Sequence, residues 1–319
     1  MTDARERHSL GRRAGDYFLY CVVLVVRLTA RAGLARLVAW TVARLAFDVF
    51  RYRRRATVQR LSRAGVPAPL RVARAVFERL ARGLVELLVL DGPALTRVRL
   101  TPRAETTLAE LLRSHQGAIV LTAHLANWDA SACAVARRAP LTVVTKRLSN
   151  PWLDRLWHAL RASFNVALIP PEGALSLSGR ALREGRLVAM MIDQAPGRAR
   201  GALSAPFLGM DVAIDLAPAL LAARARAPVF LAVARRIPGG QELDVLARWA
   251  PVTRAEAEAC SREASALLED FVLGHPEDWL WLHRREGRVP LPSRVKRDRG
   301  DEREADASPA GGDTRARVA

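Results

Sequence analysis

Cysteine is scarce. Cys21, Cys133 and Cys260 are the three in 319 residues, far apart and in no metal-ligand spacing. A disulfide framework and a zinc module are both excluded, and the usage fits a reducing compartment. Aromatic residues reach 6%, with no RNP-like motif and no zinc finger, which argues against a nucleic-acid-binding module. Long charge-free runs are missing too. The run YFLYCVVLVV at residues 17–26 has ten residues, well short of the ~18 a clean transmembrane helix needs. No small-residue cleavage site follows its long basic flank, so a signal peptide is disfavoured. The chain carries no nucleophile elbow, no phosphate-binding P-loop, no metal cluster and no internal repeat.

What is present is a large hydrophobic fraction, 50%, enough to bury a sizeable core, and a strongly basic balance of +18, nearly all arginine. Residues 27–82 hold 14 arginines against Asp48 and Glu78, so +12 of that charge sits in one N-terminal stretch. Such a stretch faces anions, either nucleic acid or the phosphates of a membrane surface. Apolar residues fill the spaces between its arginines at helical spacing, as in LTARAGLARLVAWTVARLAFDVF. That pattern predicts an amphipathic helix lying in or dipping into the cytoplasmic leaflet. Its plainer alternative is a core helix with solvated arginines.

Along the chain, residues 1–16 read as a flexible charged leader and residues 17–100 as an N-terminal helical membrane-associating segment. From residue 101 to 290 helices alternate with apolar strands. GAIVLTAH, PLTVVTK, VALIP, RLVAMMID and APVFLAVARRI read as strands, QELDVLARWAP as a candidate last one, and ETTLAELLRSH, DASACAVARR and NPWLDRLWHALRASF as helices. The expected fold is α/β: a single domain with a mostly parallel or mixed sheet flanked by helices. Residues 291–319 are charged, small-residue-rich and free of aromatics, which predicts a disordered tail.

Among six histidines, His124 alone has an acid five positions on, Asp129. The context gives the spacing weight. His124 ends the apolar strand AIVLTA and Asp129 opens the next helix, and open α/β sheets collect catalytic groups at the carboxyl ends of their strands. A carboxylate returning to the imidazole would fix its tautomer and raise its basicity, as a general base for a hydroxyl requires. The structural alternative is a strand-end histidine held by a backbone carbonyl, with Asp129 capping the helix. Cys133, inside that helix, reads as a small buried residue. Trp279, Trp281 and His283 recur at period two, which suits either a lipid-headgroup contact or a core closure.

TAHLANWD resembles the His-x4-Asp/Glu block of the glycerolipid acyltransferase superfamily. Further segments resemble, in order, the bacterial lipid A late acyltransferases (lauroyl/myristoyl acyltransferases). They are YRRRATVQRL, NPWLDRL, IDQAPGRARGALSAPFLG, APVFLAVARR and WLWLHRR, and the similarity spans about residues 15–290. That branch usually carries Glu where this chain has Asp129; Asp is the commoner residue in the wider superfamily. The resemblance implies an acyltransferase with His124 as base and Asp129 as its orienting carboxylate. It implies Asn127, Lys146, Arg147, Asp193 and Gln194 as substrate-binding residues. Asn127 and Trp128 would shape the turn, and Asp193 and Gln194 would form a second polar wall that bonds the acceptor hydroxyl or His124. Lys146 and Arg147, at the end of the strand PLTVVTK, would hold acceptor phosphates or the donor's phosphopantetheine, their plainer alternative being solvated cations, and Pro171-Glu172-Gly173 resembles a cleft-lining motif of lysophosphatidate acyltransferases. No cofactor or metal is expected. The co-substrate would be an acyl-carrier protein or coenzyme A thioester. The acceptor would be a lipid A precursor, an ornithine lipid, a phosphoglycolipid or another lipid. The expected place is the cytoplasmic face of the inner membrane, against an anionic membrane surface and without nucleic acid. A binding-only lipid adaptor of the same fold is the rival class.

Overall fold

The computed structural model describes residues 2–196 and 202–283. The tail read at 291–319, together with Arg284 and Arg285, lies outside the described residues. Helices α1 (Thr2–Thr29), α2 (Ala35–Arg44), α3 (Arg54–Arg63), α4 (Pro69–Leu88) and α5 (Gly92–Leu95) come first, so α1 already begins within the stretch read as a leader. Then follow β1 (Val98–Leu100), α6 (Pro102–Ser114), β2 (Ala118–Thr122), α7 (Trp128–Ala136), β3 (Leu141–Val144), α8 (Pro151–Ser163) and β4 (Ala167–Ile169). Next are α9 (Ala174–Arg183), β5 (Leu187–Met191), β6 (Ala202–Phe207), β7 (Met210–Asp215), α10 (Ala217–Ala225), β8 (Val229–Ile237), β9 (Gly240–Trp249) and α11 (Ala257–Gly274).

The main sheet has seven strands in the order β1-β9-β8-β2-β5-β3-β4. Five run parallel; β9 reverses against β8, and β1 follows β9. The α/β expectation holds. Alternation along each strand explains the two helical layers. Ala118, Leu187 and Ala189 face one way, into a core with α6, α7 and α8 that includes Leu108, Leu111, Ala130, Cys133 and Phe164. Ile119, Leu121, Val188 and Met190 face the other way, into a core with α9, α10 and α11. Gly117 lets β2 start hard against α9, since a Cβ there would stand 2.2 Å from the Leu182 carbonyl oxygen. The hairpin β6–β7 was not apparent in the sequence. Its two-residue turn, Leu208-Gly209, has positive φ at both positions, 51° and 75°, which matches the twist of the flanking strands.

A third core joins the N-terminal helices to the strand ends. Val72, Val76, Phe77 and Val85 on one face of α4 meet Phe47, Leu61, Leu125 and Trp281. Phe47 is fully buried, edge-on to Phe77 at 5.0 Å, with the guanidinium groups of Arg54 and Arg74 over its ring. Burying such a ring contributes roughly 1.5–3 kcal/mol. The chain before α2 differs. Gly33 takes φ 86° and breaks the helical path. Tyr17, Val25, Leu28 and Leu34 are exposed, as are Leu37 and Trp40 on α2 itself. The stretch Gly15–Val49, 35 residues, is long and apolar enough to cross a membrane by length and composition. It touches the α/β body where Tyr20 meets Trp152 edge-on and Asn150 Nδ2 donates to Asp16 at 3.0 Å.

Candidate active site

Two neighbouring parallel strands build the site. β2 and β5 pair in a register that sets Thr122 beside Met191. Continuing each chain two residues in step brings His124 beside Asp193 at the carboxyl edge. The Asp193 side chain is 1% exposed and that of His124 13%. Nδ1 of His124 lies 2.9 Å from Asp193 Oδ1, and the His124 backbone N–H donates to Oδ2 at 2.9 Å. Trp279 Nε1 donates to the same oxygen at 2.9 Å. One buried carboxylate therefore fixes both the ring and the backbone of the histidine. A charge at this depth is tolerable only when satisfied in this way.

Burial opposes a positive charge on His124. The Asp193 charge and hydrogen bond more than offset it, with a smaller contribution from Asp129, and the ring's pKa is raised. Burial likewise opposes the Asp193 anion, and the His124 charge, followed by the bonds from His124 and Trp279, wins again, holding it below the usual carboxylate range. With the Nδ1 proton directed at the carboxylate, Nε2 carries the lone pair. Gln194 Nε2 lies 3.3 Å from it. Two rings stand edge-on to His124, Trp128 at 5.1 Å and His283 at 4.8 Å.

The turn that presents His124 is held from outside. Ala126 sits at φ 49°, a left-handed conformation costing about 1 kcal/mol for a residue with a Cβ. The C-terminal loop compensates: Ala126 N donates to the Asp278 carbonyl at 2.7 Å, Leu280 N to the His124 carbonyl at 3.1 Å, and Leu125 forms a β-bridge with Trp279. Trp279 and Trp281 are buried, so the period-two run closes the core. Arg53, just before α3, and Arg60 within it then donate to the carbonyls of Leu282 and Trp281 at 2.7 and 2.9 Å. His283 is set against the His124 ring by this scaffold. Burial, the neighbouring His124, and the Arg53 and Arg60 charges outweigh Asp193 and lower its pKa.

Asp129 corrects the sequence reading. It was expected to orient His124, yet its Oδ1 accepts from Arg161 Nε at 2.8 Å and its Oδ2 from Trp157 Nε1 at 3.1 Å, both on α8. The imidazole's hydrogen-bonded carboxylate is Asp193. The first turn of α7 points Asp129 toward α8, where a permanent guanidinium outcompetes a neutral ring. Asn127, expected to bind substrate, is also otherwise engaged. Its Oδ1 caps α7 at Ala130 N, 3.1 Å away, and its Nδ2 donates to the Gly83 carbonyl and to Glu86. Gln241 holds its backbone from both sides. Lys146 and Arg147 are exposed beyond the carboxyl end of β3, and Pro171-Glu172-Gly173 lies exposed past β4. Both groups share the His124 edge of the sheet, two and three strands away. Cys133 is buried and its thiol is pushed up to about 12 by desolvation, unsuited to attack.

A mostly parallel sheet with a carboxylate-held histidine at the ends of its central strands is the frame of an α/β enzyme. The family model for bacterial lipid A biosynthesis acyltransferases matches residues 3–286, and the chain belongs to that family. It is an acyltransferase. Comparison with curated proteins finds no match.

Proposed function

We propose that the protein transfers a fatty acyl group from an acyl thioester, on acyl-carrier protein or coenzyme A, to a hydroxyl of a lipid A precursor or a related glycolipid. The observation that carries this reading is the pairing of His124 Nδ1 with the buried Asp193 carboxylate, which leaves Nε2 as the proton acceptor. His124 Nε2 takes the proton of the acceptor hydroxyl as its oxygen attacks the thioester carbonyl. The tetrahedral intermediate collapses, the C–S bond breaks, and the departing thiolate takes the proton back from Nε2. A thioester is activated enough that no covalent enzyme intermediate is needed.

The reaction joins a membrane lipid to a carrier-borne chain, so the cleft has to open at the bilayer. The exposed apolar face before Gly33, flanked by Arg27, Arg31 and Arg36, supports docking on an anionic leaflet. The inner membrane's cytoplasmic face supplies both substrates. The test is acyl transfer from acyl-carrier protein and from coenzyme A to lipid acceptors in vesicles. His124→Ala is expected to lose about 10²–10⁴-fold in rate with the fold intact by circular dichroism. A variant that keeps wild-type turnover removes His124 from the chemistry.

A further inference from the structure

His283 has no part in the reaction as described above, yet its ring is the second histidine of the site. Its centroid lies 4.8 Å from that of His124 at an interplanar angle of 63°. The Gln194 carboxamide reaches both rings: its Nε2 is 3.3 Å from His124 Nε2 and 3.5 Å from His283 Nε2. An amide NH₂ has two protons and no lone pair to offer, so it satisfies two acceptors. His124 already directs its Nδ1 proton at Asp193, which makes its Nε2 an acceptor. The same amide makes an acceptor of His283 Nε2. Where both rings are neutral, each then carries its proton on Nδ1.

This arrangement matters once substrate arrives. The acceptor hydroxyl needs the lone pair of His124 Nε2, the position that one Gln194 N–H now occupies. Displaced from His124, the carboxamide keeps a single holder in this pair, His283. That loop has little freedom to drift, because Arg53 and Arg60 pin the carbonyls of Leu282 and Trp281.

We propose that His283 is a positioning residue, which retains the Gln194 carboxamide beside His124 after the hydroxyl has displaced it, so that the freed N–H meets the thioester carbonyl oxygen. The inference rests on the acyl-transfer reading. In the addition step the hydroxyl proton passes to His124 Nε2, the C–O bond forms, and the carbonyl electron pair moves onto the oxygen that Gln194 then bonds. On collapse the pair returns, the C–S bond breaks, and the thiolate takes the proton from His124. Gln194 gives up no proton; it stabilises charge that exists only in the transition state and intermediate, so its contribution falls on kcat.

The experiment is a double-mutant cycle on the full-length enzyme with an acyl thioester and lipid vesicles. His283→Phe keeps a ring against His124 but has no acceptor. It is expected to lower kcat by about 10–100-fold, with the thioester KM within about threefold. His283→Asn, which offers a carbonyl acceptor, is expected to recover most of that loss. In a Gln194→Ala background His283→Phe is expected to cost less than about threefold, because the partner it positions is gone. Equal losses in both backgrounds, or wild-type kcat in His283→Phe, overturn the proposal. Nitrogen-15 NMR of the histidines gives a reading independent of any variant's folding: Nε2 of both resting rings is expected to be unprotonated, and a proton on His283 Nε2 also overturns it. Absence of transfer by the wild-type enzyme would instead remove the acyl-transfer reading.

Discussion

Two carboxylates near His124 live in two different regions, and their fates diverge. Asp193, past the end of β5, faces a titratable ring, the His124 backbone and Trp279. Asp129, on the first turn of α7, is bound by Arg161 and Trp157 across the α7–α8 contact. Both are buried, at 1% and 5% exposure. What separates them is the partner. A guanidinium stays charged at every working pH, so its pair with Asp129 holds two helices together and stores no chemistry. An imidazole can change protonation near neutral pH, so the carboxylate beside it decides tautomer and basicity.

The largest expected effect follows from that difference. Asp193→Asn is expected to cost about 10³–10⁴-fold in transfer rate, because the amide can favour the wrong imidazole tautomer; steady-state kinetics on the folded variant check it. Asp129→Asn is expected to act first on the fold. It leaves Arg161, whose side chain is 13% exposed, without its anion, a loss of about 3–5 kcal/mol when one partner of a buried pair is removed. Denaturant unfolding would show it. The double variant Asp129→Leu/Arg161→Met is expected to regain most of that stability, since an apolar pair of similar volume replaces a desolvated one.

The pH dependence sharpens the same contrast. His124 is raised from 6.5, so the acid limb of kcat/KM is expected to lie above that value, where the ring becomes neutral. For stability, the contribution from His124 is complete below pH 6.5 and is lost as pH climbs through the raised native value. The contribution from Asp193, lowered from 3.8, is complete above that pH and is lost as pH falls through the depressed native value. In Asp193→Asn the raising influence of that carboxylate is gone and burial still lowers the ring, so the His124 titration followed by NMR is expected to move down. A titration that stays in place would transfer the tuning role to Asp129.

The smallest effect on chemistry is expected at the N-terminus. Phe47 is fully buried and Ala39 and Ala43 are also in the core, whereas Val23 and Ala30 are the buried apolar residues described before Gly33, so a cut before Gly33 removes little of the core. Removing residues 2–32 is expected to shift the protein toward the soluble fraction and to lower transfer to a vesicle-borne acceptor, with thioester hydrolysis in solution little changed. High salt is expected to weaken full-length binding without releasing it, since screening leaves apolar contacts in place. Complete release by salt would mean that the surface is merely basic.

Much of this was legible in the sequence, and the misses have physical causes. Short β-branched runs alternating with helical patterns marked the sheet, because strands covered on both faces must be apolar throughout. The strand-end position of His124 was legible, and the structure pairs its ring with a buried carboxylate there. Its partner was misassigned because proximity along the chain favoured Asp129, whereas register between β2 and β5 brings in a residue 69 positions away. The clue was present: AIVLTAH and RLVAMMID are two apolar strands ending in complementary polar residues, and in-register parallel neighbours put those ends together. Asn127 read as a binding group because a sequence does not reveal that Gly83, Glu86 and Gln241 converge on it. The β6–β7 hairpin escaped because its turn, Leu208-Gly209, lacks the Asn-Gly or Asp-Gly signal. His283 was visible only as the third member of a period-two run, with nothing to say that the loop folds back on His124.

The most direct test compares two single variants under identical conditions, Asp193→Asn and Asp129→Asn, by single-turnover acyl transfer per folded molecule. The account predicts that Asp193→Asn is slower by about 100-fold or more, because it alone loses the carboxylate on the catalytic ring. Equal rates, or a slower Asp129→Asn, would contradict the assignment of Asp193 as the residue that makes His124 a base.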